Sequence, residues 1–141
     1  MAYIDTSVLV ACYAPQQLSA AAERAVRKSP TPTISPLTEV EFCSALALKT
    51  RTKEIELGAA KRLLAAFRLH VNDGVYRIVP IGSREYDLAR EWISAFAAPL
   101  RTLDGLHLAA AFTNGLLLLT ADKALGRSAK RFGVECRLVG R

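Results

Sequence analysis

The amino-acid sequence predicts an α/β fold in which a short central parallel sheet is flanked by helices on both faces. Short apolar segments alternate with helical segments along the chain, an order typical of βαβ units. The segment "LLLLT" at 116–120 is apolar without alternation, which favours a strand buried on both faces. No repeat, low-complexity tract or long linker divides the 141 residues, so we expect a single domain over residues 1–141.

Local signals mark the predicted elements. Ser35 and Pro36 are a typical helix N-cap and first helical residue. A turn signature at 72–74 ends one helix, and Gly115 and Gly133 end two others. The predicted strands cover residues 2–4, 33–35, 76–81, 116–120 and 134–139. The predicted helices cover residues 6–13 (with residue 7 as the other possible start), 17–28, 36–52, 54–71, 83–96, 104–113 and 124–132.

Composition limits the classes of function. The formal net charge of +6 favours a nucleic-acid partner, although a solvated charged surface would give the same balance. Three cysteines without a C-x-x-C pair argue against zinc and a disulfide framework, and favour a reducing, cytoplasmic compartment. Asp5 interrupts the N-terminus, so no signal peptide is expected. The uncharged segment 105–121 is shorter than the ~20 residues of a membrane helix, and we expect a buried helix followed by a buried strand.

Three aspartates share one context. Asp5 follows the first strand, Asp122 follows "LLLLT" by two residues, and Asp104 opens a predicted helix. Ligands of open parallel sheets bind outside the carboxyl ends of the strands, where Asp5 and Asp122 would project. Taken singly, each aspartate is better explained as a helix N-cap, although Ser7 could cap the first helix and leave Asp5 without that role.

Glu41 lies in an apolar stripe of the helix that begins at Pro36. At 100° per residue it aligns with Leu37, Ala45 and Leu48. We therefore expect Glu41 to face the core or a cleft, where an unpaired carboxylate is costly.

A capping box that begins at Thr38 is the structural alternative for Glu41. Pro36 argues against it, because it places the helix start at Ser35. Glu39 projects to nearly the opposite side and favours the helix dipole in the first turn. We therefore expect Glu41 to point inward and Glu39 outward.

Carboxylates that converge on one cleft repel each other unless they bind a cation. Ligation by carboxylate oxygens alone suits Mg²⁺ or Mn²⁺ rather than zinc. Such sites bind phosphate esters and make a water nucleophilic. A basic surface and an acidic site are compatible in one protein. The basic surface would bind a polyanion such as a nucleic acid, and the acids would hold the metal ion that cleaves it. The candidate metal ligands and catalytic residues are Asp5, Glu41, Asp104 and Asp122.

Other residues have simpler interpretations. His107 follows Asp104 by three residues, a spacing compatible with shared ligation, but a half-buried helix histidine is the favoured interpretation. Trp92 and Phe96 lie four residues apart on one predicted helix, and we expect them in the core or at an interface. No phosphate-binding glycine loop, Ser/His/Asp triad or dinucleotide fingerprint is recognisable.

Three segments at 3–10, 35–46 and 103–125 carry a family resemblance. They read "YIDTSVLV", "SPLTEVEFCSAL" and "LDGLHLAAAFTNGLLLLTADKAL". In order and spacing they resemble the PIN-domain ribonucleases, and most closely the VapC-type toxins of bacterial toxin–antitoxin modules. The resemblance covers nearly the whole chain, and the last segment is the most specific.

The resemblance implies Mg²⁺- or Mn²⁺-dependent cleavage of RNA, a homodimer, and a VapB-like antitoxin that blocks the site. It implies that Asp5 and Asp104 are the acids most firmly tied to the metal, and that Glu41 or Asp122 acts as base or outer ligand. A hydroxyl group is implied near the site at Thr6 or Ser7, and another at Thr120. Gly105 departs from the pattern, and we expect it to loosen the helix start without removing a ligand.

Two other functions are considered beside the toxin-type endoribonuclease that we expect. An aspartate-phosphorylated signalling domain would need paired acids after the first strand and a lysine after a late strand. Only Lys123 is available for that role, and Glu41 would be unexplained. The other function is a non-catalytic binding protein whose aspartates are helix caps. It also gives no reason for a carboxylate at Glu41 in an apolar stripe.

Overall fold

A computed structural model describes residues 1–140 and contains, among them, one five-stranded sheet. Its strands are β1 (Ala2–Ile4), β2 (Pro32–Ile34), β3 (Arg77–Ile78), β4 (Leu117–Thr120) and β5 (Cys136–Leu138). All neighbouring strands are parallel, in the order β3-β2-β1-β4-β5. The predicted short central parallel sheet is therefore confirmed.

The helices alternate with the strands as predicted. They are α1 (Thr6–Tyr13), α2 (Ser19–Arg27), α3 (Pro36–Arg51), α4 (Leu57–Asn72), α5 (Ser83–Ser94), α6 (Thr102–Thr113) and α7 (Lys123–Arg131). The fourth helix begins three residues later than predicted. The chain turns between α3 and α4, where Lys53 adopts a φ of 62° in the left-handed region.

The sheet separates two hydrophobic cores. Tyr3 and Leu118 point into the core that α5, α6 and α7 cover. Their neighbours Ile4 and Leu119 point into the opposite core, covered by α1 to α4. Successive strand residues face opposite sides, so this alternation confirms helices on both faces. Because both sides of β4 are buried, the sequence there is apolar without a period.

The third strand is much shorter than the predicted 76–81. Only Arg77 and Ile78 pair with β2, and the amide of Val79 adds one bond of 2.9 Å to the carbonyl of Ile34. Pro80 follows and has no N–H to donate, so the ladder ends there.

Gly105 lies inside α6 rather than at a loosened start. Its amide donates to the Arg101 carbonyl at 2.8 Å, so the helix is already formed there. A Cβ at this position would lie 3.1 Å from Cδ1 of Ile93 and 3.5 Å from Cβ of Ala89. The expected loosening is wrong, because the missing side chain lets α6 pack closely against α5.

The uncharged segment 105–121 forms a buried helix followed by a buried strand, as predicted. Residues 105–111 of α6 are all buried. Within residues 1–140, no helix combines the length and apolar character needed to cross a membrane.

Trp92 and Phe96 do not share a helix, because α5 ends at Ser94. The Trp92 ring stacks on Phe132 at 5.2 Å and meets Phe112 edge-on at 5.6 Å. Phe96 is 91% exposed and adopts a φ of 55°. Of the two predicted locations, core or interface, Trp92 therefore takes the core. Phe96 lies outside the core.

Candidate active site

The carboxyl ends of β1 and β4 lie side by side. The two strands pair in parallel, with Ile4 opposite Leu119. Asp5 follows β1 directly, and Asp122 follows β4 by two residues. Both aspartates are therefore placed at the same edge of the sheet, as the sequence predicts.

Asp5 is buried and anchored by hydroxyl groups. Its Oδ2 accepts hydrogen bonds from Ser7 Oγ at 2.7 Å and from Thr120 Oγ1 at 2.9 Å. Asp5 occupies the N-cap position of α1, but its side chain makes no capping bond. Ser7 does not cap either, since its hydroxyl also accepts from the amide of Ala121 at 3.1 Å. Capping is therefore the wrong explanation for Asp5 and Ser7.

Asp122 is an exposed residue that does cap its helix. Its Oδ1 accepts from the amides of Ala124 at 2.8 Å and Leu125 at 3.2 Å, at the start of α7. Both bonds fall on Oδ1, and Oδ2 receives none from any residue that the structure describes. The capping interpretation is thus confirmed for Asp122, while one carboxylate oxygen is left for another partner.

Asp104 lies in the first turn of α6, whose N-cap is Arg101, so a capping role is wrong here too. Burial raises the pKa of the Asp104 carboxyl, and the charges of Asp5 and Asp122 raise it further. The nearby His107 and Arg101 offset only part of this effect. The three aspartates therefore lie close enough for their charges to interact.

Glu41 reaches the site from α3. Its Oε1 accepts a 2.6 Å hydrogen bond from Thr6 Oγ1 and a short one from His107 Nε2. Burial raises the pKa of Glu41, but the hydrogen bond and charge of His107, with the Thr6 hydroxyl, outweigh burial and hold it below the ordinary value. Glu41 also shares a cavity of about 440 Å³ with Asp104. The cavity is lined by Glu41, Arg101, Thr102, Leu103 and Asp104.

The buried face of α3 differs by one position from the predicted stripe. Thr38, Phe42 and Leu46 are buried, whereas Leu48 is 52% exposed. Glu41 therefore lies at the border of the buried face of α3, where its side chain can line a cavity. Ser35 is the N-cap, and its amide donates to Thr38 Oγ1 at 3.2 Å, so Thr38 closes the box that begins at Ser35.

His107 is more buried than expected, with 1% of its surface exposed. Its Nδ1 lies 2.6 Å from the Tyr3 hydroxyl, and its Nε2 bonds Glu41. The half-buried interpretation is therefore wrong, and ligation would require the ring to give up one of these two bonds.

Sequence reasoning missed two residues at this site. Tyr3 stands out only as the hydroxyl-bearing residue of a strand that is otherwise apolar, "AYI". Arg101 precedes Asp104 by three residues, which is a local signal for a cation beside an acid. The expectation of one hydroxyl at Thr6 or Ser7 is exceeded, since both bond a candidate acid.

The acids do not form a closed ligand cage. Within residues 1–140, no group of three or more His, Cys, Asp or Glu side chains has the arrangement needed to hold a metal ion. The three aspartates interact through their charges and Glu41 shares a cavity with Asp104, but their oxygens do not converge on one point.

Several solved bacterial proteins have a similar fold. FitAcB from Neisseria gonorrhoeae has a TM-score of 0.72 at 20% identity, covering 96% of this chain and 96% of that chain. VapC20 from Mycobacterium tuberculosis, a sarcin–ricin loop cleaving toxin, has a TM-score of 0.69 at 20% identity, covering 91% and 95%. DNA-bound VapBC from Salmonella typhimurium has a TM-score of 0.71 at 16% identity, covering 99% and 100%. At these identities the similarity concerns the fold.

Sequence comparison gives the family. No curated protein matches the chain significantly. The model of the PIN domain matches residues 2–131, a range that contains all four candidate acids. With its five-stranded parallel sheet and this match over most of its length, the chain belongs to the PIN domain family.

Proposed function

We propose that this chain is a Mg²⁺- or Mn²⁺-dependent endoribonuclease and the toxin of a type II toxin–antitoxin pair. The observation that carries the proposal is that Asp104 of α6 lies within charge interaction of Asp5 and Asp122, which follow two neighbouring strands at one sheet edge. Burial and the charges of Asp5 and Asp122 raise the pKa of Asp104, so the group is costly without a cation. Clustered acids of this kind at a cleft are typical of functional sites.

The donor set suits a hard divalent cation by its chemistry. Every candidate ligand is a carboxylate, and one oxygen of Asp122 and one of Glu41 have no partner among the described residues. Mg²⁺ usually keeps several waters and takes one or two carboxylates directly, so a closed cage of three protein ligands is not required. Asp5 and Asp104 are the proposed direct ligands. A bound metal would supply a nucleophilic water and neutralise charge on the phosphodiester.

The remaining tasks fall to side chains of the chain itself. Ser7 and Thr120 hold the Asp5 carboxylate in one orientation. Glu41 is held at Oε1, and Asp122 at Oδ1. Glu41 and Asp122 are the two candidates that accept the proton of the attacking water, since each keeps a second carboxylate oxygen for that purpose.

RNA is the proposed substrate. The net charge of +6 attracts a polyanion, and Arg101 lines the same cavity as Glu41 and Asp104. A cation beside the acids can meet a phosphate while the acids hold the metal. The fold similarity to VapC20, a sarcin–ricin loop cleaving toxin, supports RNA as the substrate class.

An antitoxin protein is the proposed partner, supported by the fold similarity to a solved toxin–antitoxin complex from Klebsiella pneumoniae. A homodimer is also proposed, and side chains such as Val40, Tyr86 and Phe96 are apolar and exposed in the single chain. Light scattering at micromolar concentration should give twice the 15.3 kDa chain mass. A cytoplasmic location remains a prediction, for which the three free cysteines are the support.

The test is cleavage of a short RNA by protein that has been freed of metal. Cleavage should be absent in chelator and return with Mn²⁺, and Asp104→Asn should abolish it. Asp87→Asn is the matched control, because Asp87 is exposed on α5 and its side chain pairs with Arg90 at 3.1 Å, away from the candidate acids. Cleavage that persists in chelator, or in Asp104→Asn protein as in the parent, would reject the proposal.

A further inference from the structure

A hydrogen-bonded chain of side chains links β1 to α3 through α6, and it is buried at Tyr3 and His107. It begins at Tyr3, which is fully buried, and its hydroxyl lies 2.6 Å from Nδ1 of His107. The opposite nitrogen of the same ring, Nε2, bonds Oε1 of Glu41. The Tyr3 hydroxyl also bonds Ser35 Oγ at 2.8 Å, next to the start of α3. The ring is therefore fixed at both of its nitrogens.

The direction of the bond to Glu41 follows from the donor inventory. An ionised carboxylate can only accept, so the hydrogen must be on Nε2 of His107. This holds whether or not Nδ1 also carries a proton, since that question concerns only the bond to Tyr3. Imidazole to carboxylate is a charge-assisted hydrogen bond, which is among the stronger kinds in proteins.

We propose that His107 is a positioning residue for Glu41, which it holds by donating from Nε2 to Oε1. Thr6 donates to the same oxygen at 2.6 Å, and Oε2, which has no partner in the described part of the chain, can meet metal or attacking water. The proposal rests on the ribonuclease function proposed above. A glutamate has three rotatable side-chain bonds, so its placement within a site depends on such outer contacts.

The position of His107 on α6 gives this contact a second consequence. Asp104 and His107 are three residues apart, so they lie on one face of the helix. Helix α6 therefore carries Asp104 itself and also positions Glu41 of α3, through the imidazole ring of His107. Asp104 and Glu41 line one cavity, and His107 fixes their relative position across two separate elements.

The first experiment uses two amide substitutions that differ in reach. The amide nitrogen of Gln falls near the place of His Nε2, whereas that of Asn falls near Nδ1. His107→Gln should thus keep the donor to Glu41, and His107→Asn should lose it. On folded, metal-free protein, His107→Asn should weaken Mn²⁺ binding by about ten- to hundredfold, the usual cost of an outer partner of a metal site. It should also lower kcat on a short RNA and leave KM unchanged, while His107→Gln stays close to the parent.

A Glu41→Gln background separates positioning from packing. There His107→Asn should change Mn²⁺ binding no further, because the group it positions is already lost. The inference would be overturned if His107→Asn and His107→Gln weakened Mn²⁺ binding equally. It would also be overturned if His107→Asn weakened Mn²⁺ binding as much in the Glu41→Gln background as in the parent. If the parent itself binds no Mn²⁺, the proposed function fails instead, and the next measurement still decides the role of His107.

The second experiment needs no histidine variant. The chain has only two histidines, His70 and His107, so ¹⁵N-histidine spectra of metal-free protein are simple to assign. Nε2 of His107 should carry an exchange-protected proton, and its resonance should move in Glu41→Gln protein because the acceptor loses its charge. An Nε2 without a proton, or a resonance indifferent to Glu41→Gln, would overturn the inference even if both amide variants failed to fold.

Discussion

The hydroxyl of Thr120 donates a hydrogen bond of 2.9 Å to Oδ2 of Asp5 and joins the ends of β4 and β1. The Thr120 Oγ1 atom itself accepts a hydrogen bond from the amide of Asp122 at 3.1 Å. Thr120 is fully buried. One side chain therefore orients the carboxylate after β1 and fixes the turn that carries Asp122.

Thr120→Val should lower both stability and cleavage. It removes a donor from a buried carboxylate and an acceptor from an amide, so the free energy of unfolding should fall by about 1–3 kcal/mol. Thr113→Val is the matched control, since the Thr113 hydroxyl donates to Glu85 at 2.7 Å, away from the candidate acids. Denaturant unfolding should show a loss in both variants, but RNA cleavage only in Thr120→Val. Equal activity in the two variants would contradict this role for Thr120.

Asp104→Asn should stabilise metal-free protein at neutral pH. Because the pKa of Asp104 is raised in the folded state, its contribution to stability is present below the ordinary aspartate range and is lost as the pH rises through the raised pKa. The variant should therefore exceed the parent in thermal stability near pH 7 and match it in strong acid. The difference between the two melting curves across pH measures this effect, and a difference that does not vary with pH would contradict it.

The same variant should lose cleavage despite its greater stability. We expect at least about a hundredfold loss, since even outer partners of a metal site are worth ten- to hundredfold. Asp87→Asn should keep full cleavage and change the free energy of unfolding by less than about 0.5 kcal/mol, as is usual at exposed positions.

Glu41→Gln and Glu39→Gln should separate the two acids of α3. The Glu39 side chain has no hydrogen-bond or ion-pair partner among residues 1–140, so its change should leave cleavage and stability intact. Glu41→Gln should reduce cleavage. Because the pKa of Glu41 is lowered, its ionised form stabilises the fold at neutral pH, and that contribution disappears as the pH falls through the lowered pKa. Equal cleavage by the two variants would show that Glu41 has no special role.

Phe96→Asn should raise the stability of the single chain. Phe96 has a φ of 55° and is 91% exposed, so it is strained and almost without packing contacts. Asn tolerates this backbone region better, and we expect a gain of about 1 kcal/mol in the free energy of unfolding. A loss of stability together with a fall from dimer to monomer mass would instead place Phe96 at a subunit interface.

RNA binding should weaken steeply with salt, because the basic surface releases counterions from the RNA. The measurement uses Asp104→Asn protein in chelator, so that cleavage does not interfere. Arg101→Gln should reduce the slope of log affinity against log salt by about 0.7, the value for one contact to a single strand. Arg90→Gln is the control, since Arg90 is already paired with Asp87 on an exposed face. An affinity that does not change with salt would mean that the +6 charge is incidental.

Local signals explain what the sequence predicts well. Ser35 and Pro36 mark a helix start that the structure confirms, because capping depends on a few adjacent residues. The shared edge of Asp5 and Asp122 follows from the direction of parallel strands. Neither inference needs knowledge of distant contacts.

Contacts between distant segments explain what could not be predicted. The ring of His107 bonds Tyr3 and Glu41, which lie 104 and 66 residues away in sequence. No pattern around His107 reveals those partners. The capping interpretation of Asp104 is wrong for a related reason. Helix α6 begins at Thr102, two residues before Asp104, and its N-cap Arg101 is not a typical capping residue.

The order of the strands bears on how the chain is made. β4 lies between β1 and β5, although it is synthesised long after β1, β2 and β3. Until β4 inserts, Asp5 lacks the hydroxyl of Thr120, and a nascent chain that has not reached α6 contains neither Asp104 nor Asp122. A nascent chain shorter than 122 residues therefore has an incomplete group of acids. If the chain is the ribonuclease proposed above, its candidate acids are complete only once residue 122 has been synthesised and β4 has paired with β1.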